Sequence, residues 1–279
     1  PETNYHVRAY ATNAEGTAYG NDVAFETLPE DDDNGNGDED ITYGEGVTDI
    51  EGNEYVTVII GEQEWMAQNL RTTKYTNGNA IPTDLHNDDW GSTWEGAYAI
   101  YDLEADNTTG IDSPEEMVEI YGLLYNRYAI EQENLCPEGW RVPSNEDWQE
   151  LADHLMNEYG YGNETNDQNS IGEALKVARQ INHPLGGSYD THEHPRWDGA
   201  SPYYGLDRFG FSGLPAGVRT NSGGYTNLGE YAYWWSSSDE DGAPMISPFV
   251  RLVDIQNNFI RPNIHDRSGL SVRCIREDD

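Results

Sequence analysis

The sequence predicts an α+β fold with two or three short helices, a twisted sheet of short strands, long loops and a separate N-terminal β-hairpin. Three observations carry the prediction. Helix-start signatures stand at Ser113, Ser144 and Ser170, short strand patterns crowd a Gly-, Ser-, Tyr- and Trp-rich region beyond residue 200, and two stretches within the first 29 residues alternate in polarity. Helices followed by strands, rather than interleaved with them, are the mark of an α+β layer arrangement.

The hairpin comes first. In Tyr5-His6-Val7-Arg8-Ala9-Tyr10-Ala11 small or apolar residues alternate with larger polar ones, and Val23-Ala24-Phe25-Glu26-Thr27 does the same after a turn expected through Asn13–Gly20. This pair resembles the last two strands of a fibronectin type III domain, with Tyr5 at the tyrosine-corner position. An isolated two-stranded ribbon is marginally stable in water. Tyr5, Val7, Val23 and Phe25 are therefore expected to form a subunit contact, by pairing with another copy of the chain. Residues 30–46 follow as an acidic linker, with seven acidic residues among the eleven from Glu30 to Asp40, and residues 47–279 form the large domain.

In the large domain, Val47-Thr48-Asp49-Ile50 and Tyr55-Val56-Thr57-Val58-Ile59-Ile60 read as strands around a turn at Glu51-Gly52-Asn53. Ser113-Pro114-Glu115-Glu116 supplies an N-cap, a proline at the first helical position and first-turn acids. Ser144-Asn145-Glu146-Asp147 opens a stronger helix, on which Trp148, Leu151, Ala152, Leu155 and Met156 fall on one face. A short third helix starts at Ser170. Strands are expected at Tyr233–Ser237, Phe249–Asp254, Asn258–Arg261 and Leu270–Ile275.

Composition narrows the function. A net charge of −37 with few aliphatic residues fits the usual rule for disorder. Nineteen Tyr and eight Trp argue against it, because each buries roughly 150–250 Å² and replaces aliphatic core. Fifty-two acidic against fifteen basic residues repel phosphate backbones and anionic lipid, which excludes nucleic acid as a partner and calls for divalent cations as neutralisers. No run of about 18 apolar residues occurs, so no membrane insertion is expected. The opening Pro1-Glu2-Thr3 reads as that of a processed or truncated chain. Cys136 and Cys274 suit neither a zinc knuckle nor a CxxC pair, which leaves a disulfide or two buried free thiols.

A series of ordered motifs then gives a resemblance. Asp49-Ile50-Glu51-Gly52-Asn53-Glu54-Tyr55, Gln63-Glu64-Trp65-Met66-Ala67-Gln68-Asn69-Leu70, Gly122-Leu123-Leu124-Tyr125-Asn126, Cys136-Pro137-Glu138-Gly139-Trp140-Arg141-Val142-Pro143-Ser144, Gly210-Phe211-Ser212-Gly213-Leu214-Pro215-Ala216-Gly217, Trp234-Trp235-Ser236-Ser237 and Leu270-Ser271-Val272-Arg273-Cys274 occur in that order. Over residues 47–276 the chain resembles the Fibrobacter succinogenes major paralogous domain family of secreted bacterial proteins. The resemblance implies a C-type-lectin-like fold, similar in layout to formylglycine-generating enzymes, and an extracellular or cell-surface location. It implies a Cys136–Cys274 disulfide, and with it no enzyme activity of the formylglycine-generating kind, which uses neighbouring reactive cysteines. Trp65, Trp140 and Trp234 are expected in the core.

Calcium is the expected cofactor. Asp32, Asn34, Asn36, Asp38 and Asp40 take alternate positions of a calcium loop with Gly37 at its turn, although Tyr43 replaces the closing Glu. Asp102, Glu104 and Asp106 repeat the spacing without the glycine. His183, His192 and His194 lie in a Pro- and Gly-rich loop, where solvent exposure is expected ahead of zinc binding. The leading functional expectation is a calcium-stabilised structural subunit of an extracellular bacterial fibre or array, self-associating through the hairpin. The alternative is a secreted adhesin that binds polysaccharide through Tyr225, Tyr231, Asp239 and Asp241, favoured if Tyr203, Tyr204, Tyr225, Tyr231 and Tyr233 line an open groove.

Overall fold

The computed structural model describes strands at residues 4–7, 10–13, 16–19 and 23–26, and then residues 41–132, 134–162, 170–199, 204–239, 245–254, 256–260 and 262–277. The chain divides into two units, Pro1–Asp38 and Glu39–Asp279. The first holds β1 (Asn4–Val7), β2 (Tyr10–Asn13), β3 (Gly16–Tyr19) and β4 (Val23–Glu26). β1 pairs antiparallel with β4 and β2 with β3, and the register shifts by one residue between the two pairings.

Pairing continues to Asn13↔Gly16, so the connection is shorter than the turn expected through Asn13–Gly20. Tyr10, Thr12, Thr17 and Tyr19 favour extended backbone, and a two-residue connection suits the twist of paired strands. Tyr5 stands opposite Phe25 and Val7 opposite Val23, at alternate positions that share one face of the ribbon. The expected calcium loop, Asp32, Asn34, Asn36, Asp38 and Asp40, lies outside the described residues.

In the second unit, residues 41–46 are more than linker. Thr42 accepts a hydrogen bond from the Ile59 amide at 2.8 Å and the Gly44 amide donates to Thr57 at 2.9 Å, which lays this segment along a sheet edge. β5 (Val47–Thr48) pairs with β6 (Glu54–Tyr55), and β7 (Thr57–Ile60) with β8 (Gln63–Met66). The expected strand over Tyr55–Ile60 is thus split at the exposed Val56. β9 (Tyr98–Ala99) pairs with β10 (Leu124–Tyr125). β11 (Trp140–Arg141), β12 (Ala216–Arg219), β13 (Tyr225–Leu228), β14 (Tyr231–Trp235), β15 (Ile246–Val253), β16 (Gln256–Ile260), β17 (Asn263–His265) and β18 (Ile275–Arg276) complete the strands. One antiparallel sheet has the order β11-β18-β8-β7, a second β14-β15-β16, with β17 on the other end of β15.

Five α-helices are described where two or three were expected: α1 (Asn87–Trp90), α2 (Pro114–Tyr121), α3 (Arg127–Ile130), α4 (Asn145–Tyr159) and α5 (Ile171–Leu175). α1 and α3 are single turns, too short to show a 3.6-residue period. α2, α4 and α5 start at the predicted serines, each of which accepts from the amide three residues on. On α4 the Asp147 carboxylate in return accepts from the Ser144 amide at 2.6 Å, closing a capping box, and Gly160 ends the helix in the left-handed conformation.

Trp148, Leu151, Ala152 and Leu155 of α4 are buried. Trp148 packs 4.5 Å from Trp65 and 6.2 Å from Trp234, with Phe211 and Phe259 edge-on or tilted around them. Trp140 is also buried. Cys136 and Cys274 form a disulfide with their Cα atoms 6.1 Å apart, inside the other main apolar cluster. The pairing that the family resemblance implied is the one present. The whole unit is an α+β arrangement of several small antiparallel sheets.

Candidate functional site

The site is built around α3. Asn126 caps that turn by accepting from the Ala129 amide at 3.0 Å, while the Arg127 amide donates to the Asp266 carbonyl at 2.8 Å. So anchored, the Arg127 side chain is 3 % exposed. Its Nη1 donates to the carbonyls of Ser236 (2.7 Å) and Ser238 (3.2 Å), and its Nη2 to the Ser237 carbonyl (3.1 Å) and Asp239 Oδ1 (2.7 Å). Nε donates to Glu131 at 3.2 Å. One buried guanidinium thereby fixes the loop that leaves β14, because a planar fork of donors matches consecutive carbonyls.

Beside it opens a cleft of about 600 Å³, lined by Leu135, Cys136, Val142, Arg127, Arg141 and Asp239. Arg141 is itself bidentate to Asp147, at 2.5 and 2.8 Å. Burial alone would raise the Asp147 carboxyl; the Arg141 and Ser144 hydrogen bonds outweigh it and hold the group below the usual range. Both cleft arginines are matched by carboxylates. The cleft mixes apolar lining with polar and charged groups, and Glu131, Asp239 and Glu277 stand beside the two arginines. A wider groove of about 1110 Å³ between the β7–β8 turn and α4 is lined by acidic side chains such as Glu62, Glu146 and Glu150.

The predicted site residues are dispersed. Asp239 reaches the cleft with its side chain 88 % exposed. Asp241 lies outside the described residues, as does Tyr203. Tyr225 packs edge-on 5.3 Å from Tyr101, with the Arg219 guanidinium 5.1 Å over its ring. Tyr231 stacks on buried Tyr233 at 5.5 Å, and Tyr204 packs 5.1 Å from His183. These rings serve internal packing more than an open groove. Asp102, Glu104 and Asp106 are exposed. Asp102 accepts from the Glu104 amide at 3.0 Å, and Asp106 accepts from the Tyr101 hydroxyl, so the loop uses two of these carboxylates to fasten itself. Among the described residues no three His, Cys, Asp or Glu side chains group to hold a metal.

The histidines need a correction. His192 is exposed as expected, but His183 and His194 are buried. His183 meets the Gly205 carbonyl through Nε2 at 3.1 Å and accepts from the Leu185 amide, and His194 Nδ1 lies 2.6 Å from the Tyr121 hydroxyl. Loop composition suggested solvent; the loop instead folds back over α2. Burial, with the Arg196 guanidinium as a second cause, pushes His194 down to about 4. An unfolded His binds its proton near 6.5, so between these values the unfolded chain holds more protons and stability rises with pH. Acidification from pH 6.5 towards 4 is expected to remove up to about 1.4 kcal/mol per pH unit through this group. Urea unfolding should show His194→Gln losing less than the parent across that interval; equal losses would rule the assignment out.

Arg127 is the residue that sequence reasoning missed. Its only signal is its place directly after the capping asparagine of Gly122-Leu123-Leu124-Tyr125-Asn126, and its partners lie some 110 residues away. The model of the Fibrobacter succinogenes major domain matches residues 58–276, which takes in every quoted motif from Gln63 to Cys274 and begins after Asp49–Tyr55. No curated protein and no solved structure is a match to the chain. With most of its length covered by that model, the chain belongs to the Fibrobacter succinogenes major domain family, a bacterial family.

Proposed function

We propose that the chain is an extracellular, non-catalytic structural unit of a bacterial surface fibre or array, whose copies join through the N-terminal ribbon. The observation behind this reading is the ribbon itself. β1 to β4 belong to a unit of their own, and among the described residues each strand pairs with one other. Two strands alone are marginal in water, so a further strand or apolar surface has to come from outside the ribbon. An open sheet edge on another copy supplies it, and the face bearing Tyr5, Val7, Val23 and Phe25 is the one to be covered. The disulfide favours an oxidising location. The order of helices, disulfide and final strands favours reading the large unit as C-type-lectin-like. Polysaccharide binding through Tyr225, Tyr231 and Asp239 draws no support from rings that pack internally.

Light scattering and negative-stain microscopy test the proposal. The full chain is expected to assemble with rising concentration, and a chain lacking residues 1–29 to stay folded and monomeric. Identical assemblies from the shortened chain, or a full chain monomeric at all concentrations, would exclude joining through the ribbon.

Calcium belongs to the same reading, because −37 charges repel one another and oxygen-ligated divalent ions relieve this. Saturating calcium is expected to stabilise the full chain over chelator by about 2.7 kcal/mol at a hundredfold excess over its Kd. An unchanged melting temperature would overturn it.

A further inference from the structure

Trp94 is 64 % exposed, an unusual position for the largest side chain in a protein whose other aromatics mostly serve the core. Its loop is nevertheless held firmly. The Thr93 amide donates to the Asp89 carbonyl at the end of α1 at 2.9 Å. Asn126, the cap of α3, donates to the Glu95 carbonyl at 2.9 Å and accepts from the Ala97 amide at 2.9 Å. Arg267 donates from Nε to the Thr93 carbonyl at 2.9 Å and sets its guanidinium 4.4 Å over the indole. Tyr128 of α3 stands 5.8 Å away, tilted at 43°. An aromatic ring displayed on a rigid loop binds with little ordering cost, because its rotamer is already chosen.

We propose that Trp94, backed by Arg267 and flanked by Tyr128, is a stacking platform for a neutral sugar ring of a polysaccharide. The charges choose the ligand class. Arg267 already occupies one face of the ring, so a cation on the other gains little and meets like charge. An anion is repelled by the net charge of −37. A neutral ligand remains. The neighbours Ser92, Thr93, Glu95 and Gly96 are small or polar, so this loop offers apolar surface one indole wide, which suits a hexose. A stable protein contact takes about 800 Å² from each partner. A pyranose with equatorial hydroxyls presents a flat C–H face to the ring, while its hydroxyls suit the oxygen-rich surroundings.

The site is independent of ribbon-mediated assembly. Calorimetric titration of the full chain with a neutral β-1,4-linked glucose hexamer tests it, with a galacturonate hexamer as the anionic counterpart and light scattering on the same samples. The neutral hexamer is expected to bind, the anionic one not. Trp94→Ala is expected to weaken binding at least about tenfold, and Trp94→Phe to retain part of it, with circular dichroism and melting temperature unchanged in both. Absence of binding to the parent chain, equal binding by Trp94→Ala, or equal binding of the anionic hexamer would each overturn the proposal. So would a Trp94→Ala effect confined to the oligomeric state, which would mark a protein contact.

Discussion

Replacing Asn69 by Ala is expected to destabilise the large unit by about 3–5 kcal/mol, from two or more orphaned buried groups at about 1–3 kcal/mol each. Asn69 is 5 % exposed and sits where the segment after β8 meets α2, β14 and the segment before β18. Its Nδ2 donates to the Tyr121 carbonyl at the end of α2 at 2.8 Å and to Ser271 Oγ at 3.3 Å. Its Oδ1 accepts from Trp234 Nε1 at 2.8 Å and from Arg273 Nη2 at 3.2 Å. Truncation leaves the Trp234 N–H and the Tyr121 carbonyl without these partners in the buried interior. It also removes an acceptor from Arg273, which is 1 % exposed and lies 4.2 Å over the Phe211 ring. Asn69→Asp keeps the acceptor for Trp234 and Arg273 but sets a carboxylate oxygen against the Tyr121 carbonyl in a buried site, so it should be destabilising as well. Chemical denaturation of the three proteins decides the matter, and a loss below about 1 kcal/mol for Asn69→Ala would show that the network is dispensable.

The second large effect is expected from the disulfide. It joins residues 138 apart in sequence, and in the chain-entropy account closing so long a loop restricts the unfolded ensemble by about 4–5 kcal/mol. Both cysteines are buried and the Cys274 carbonyl accepts from the Met66 amide at 3.0 Å, so the bridge ties the start of β11 to the strand beside β8. The double variant Cys136→Ser, Cys274→Ser should unfold at markedly lower denaturant. Adding reductant should move the parent to the same midpoint and leave the variant unchanged. Coincident midpoints for oxidised and reduced parent would show that the unfolded chain is not the state the bridge restricts.

Much of the large unit was legible from local pattern. The α4 helix announces itself because its cap, capping box, apolar stripe and terminal glycine all act within a few residues of one another. The Ser113 and Ser170 starts are local in the same sense. The strands were less legible. Leu270–Ile275 looks like one strand, yet Tyr125↔Leu270 and Trp234↔Ser271 are isolated bridges and only Ile275–Arg276 forms a ladder. Pairing there depends on which neighbours the loops bring alongside, and alternation along one segment carries no record of that.

The site follows the same division. Sequence alone determined the helix starts at Ser113, Ser144 and Ser170, the aromatic character of the core and the family, because these rest on short-range periodicity, composition and ordered motifs. Tertiary structure alone decided that Arg127 would hold the loop from Ser236 to Asp239, that His194 would be buried against Tyr121, and that Trp94 would face solvent while Trp90, four residues earlier, lies under Arg219 at 4.2 Å. The reason is physical. Each of these outcomes involves a partner more than 70 residues away, and a contact of that span exists only once the loops between have closed and the core has chosen which polar groups to surround.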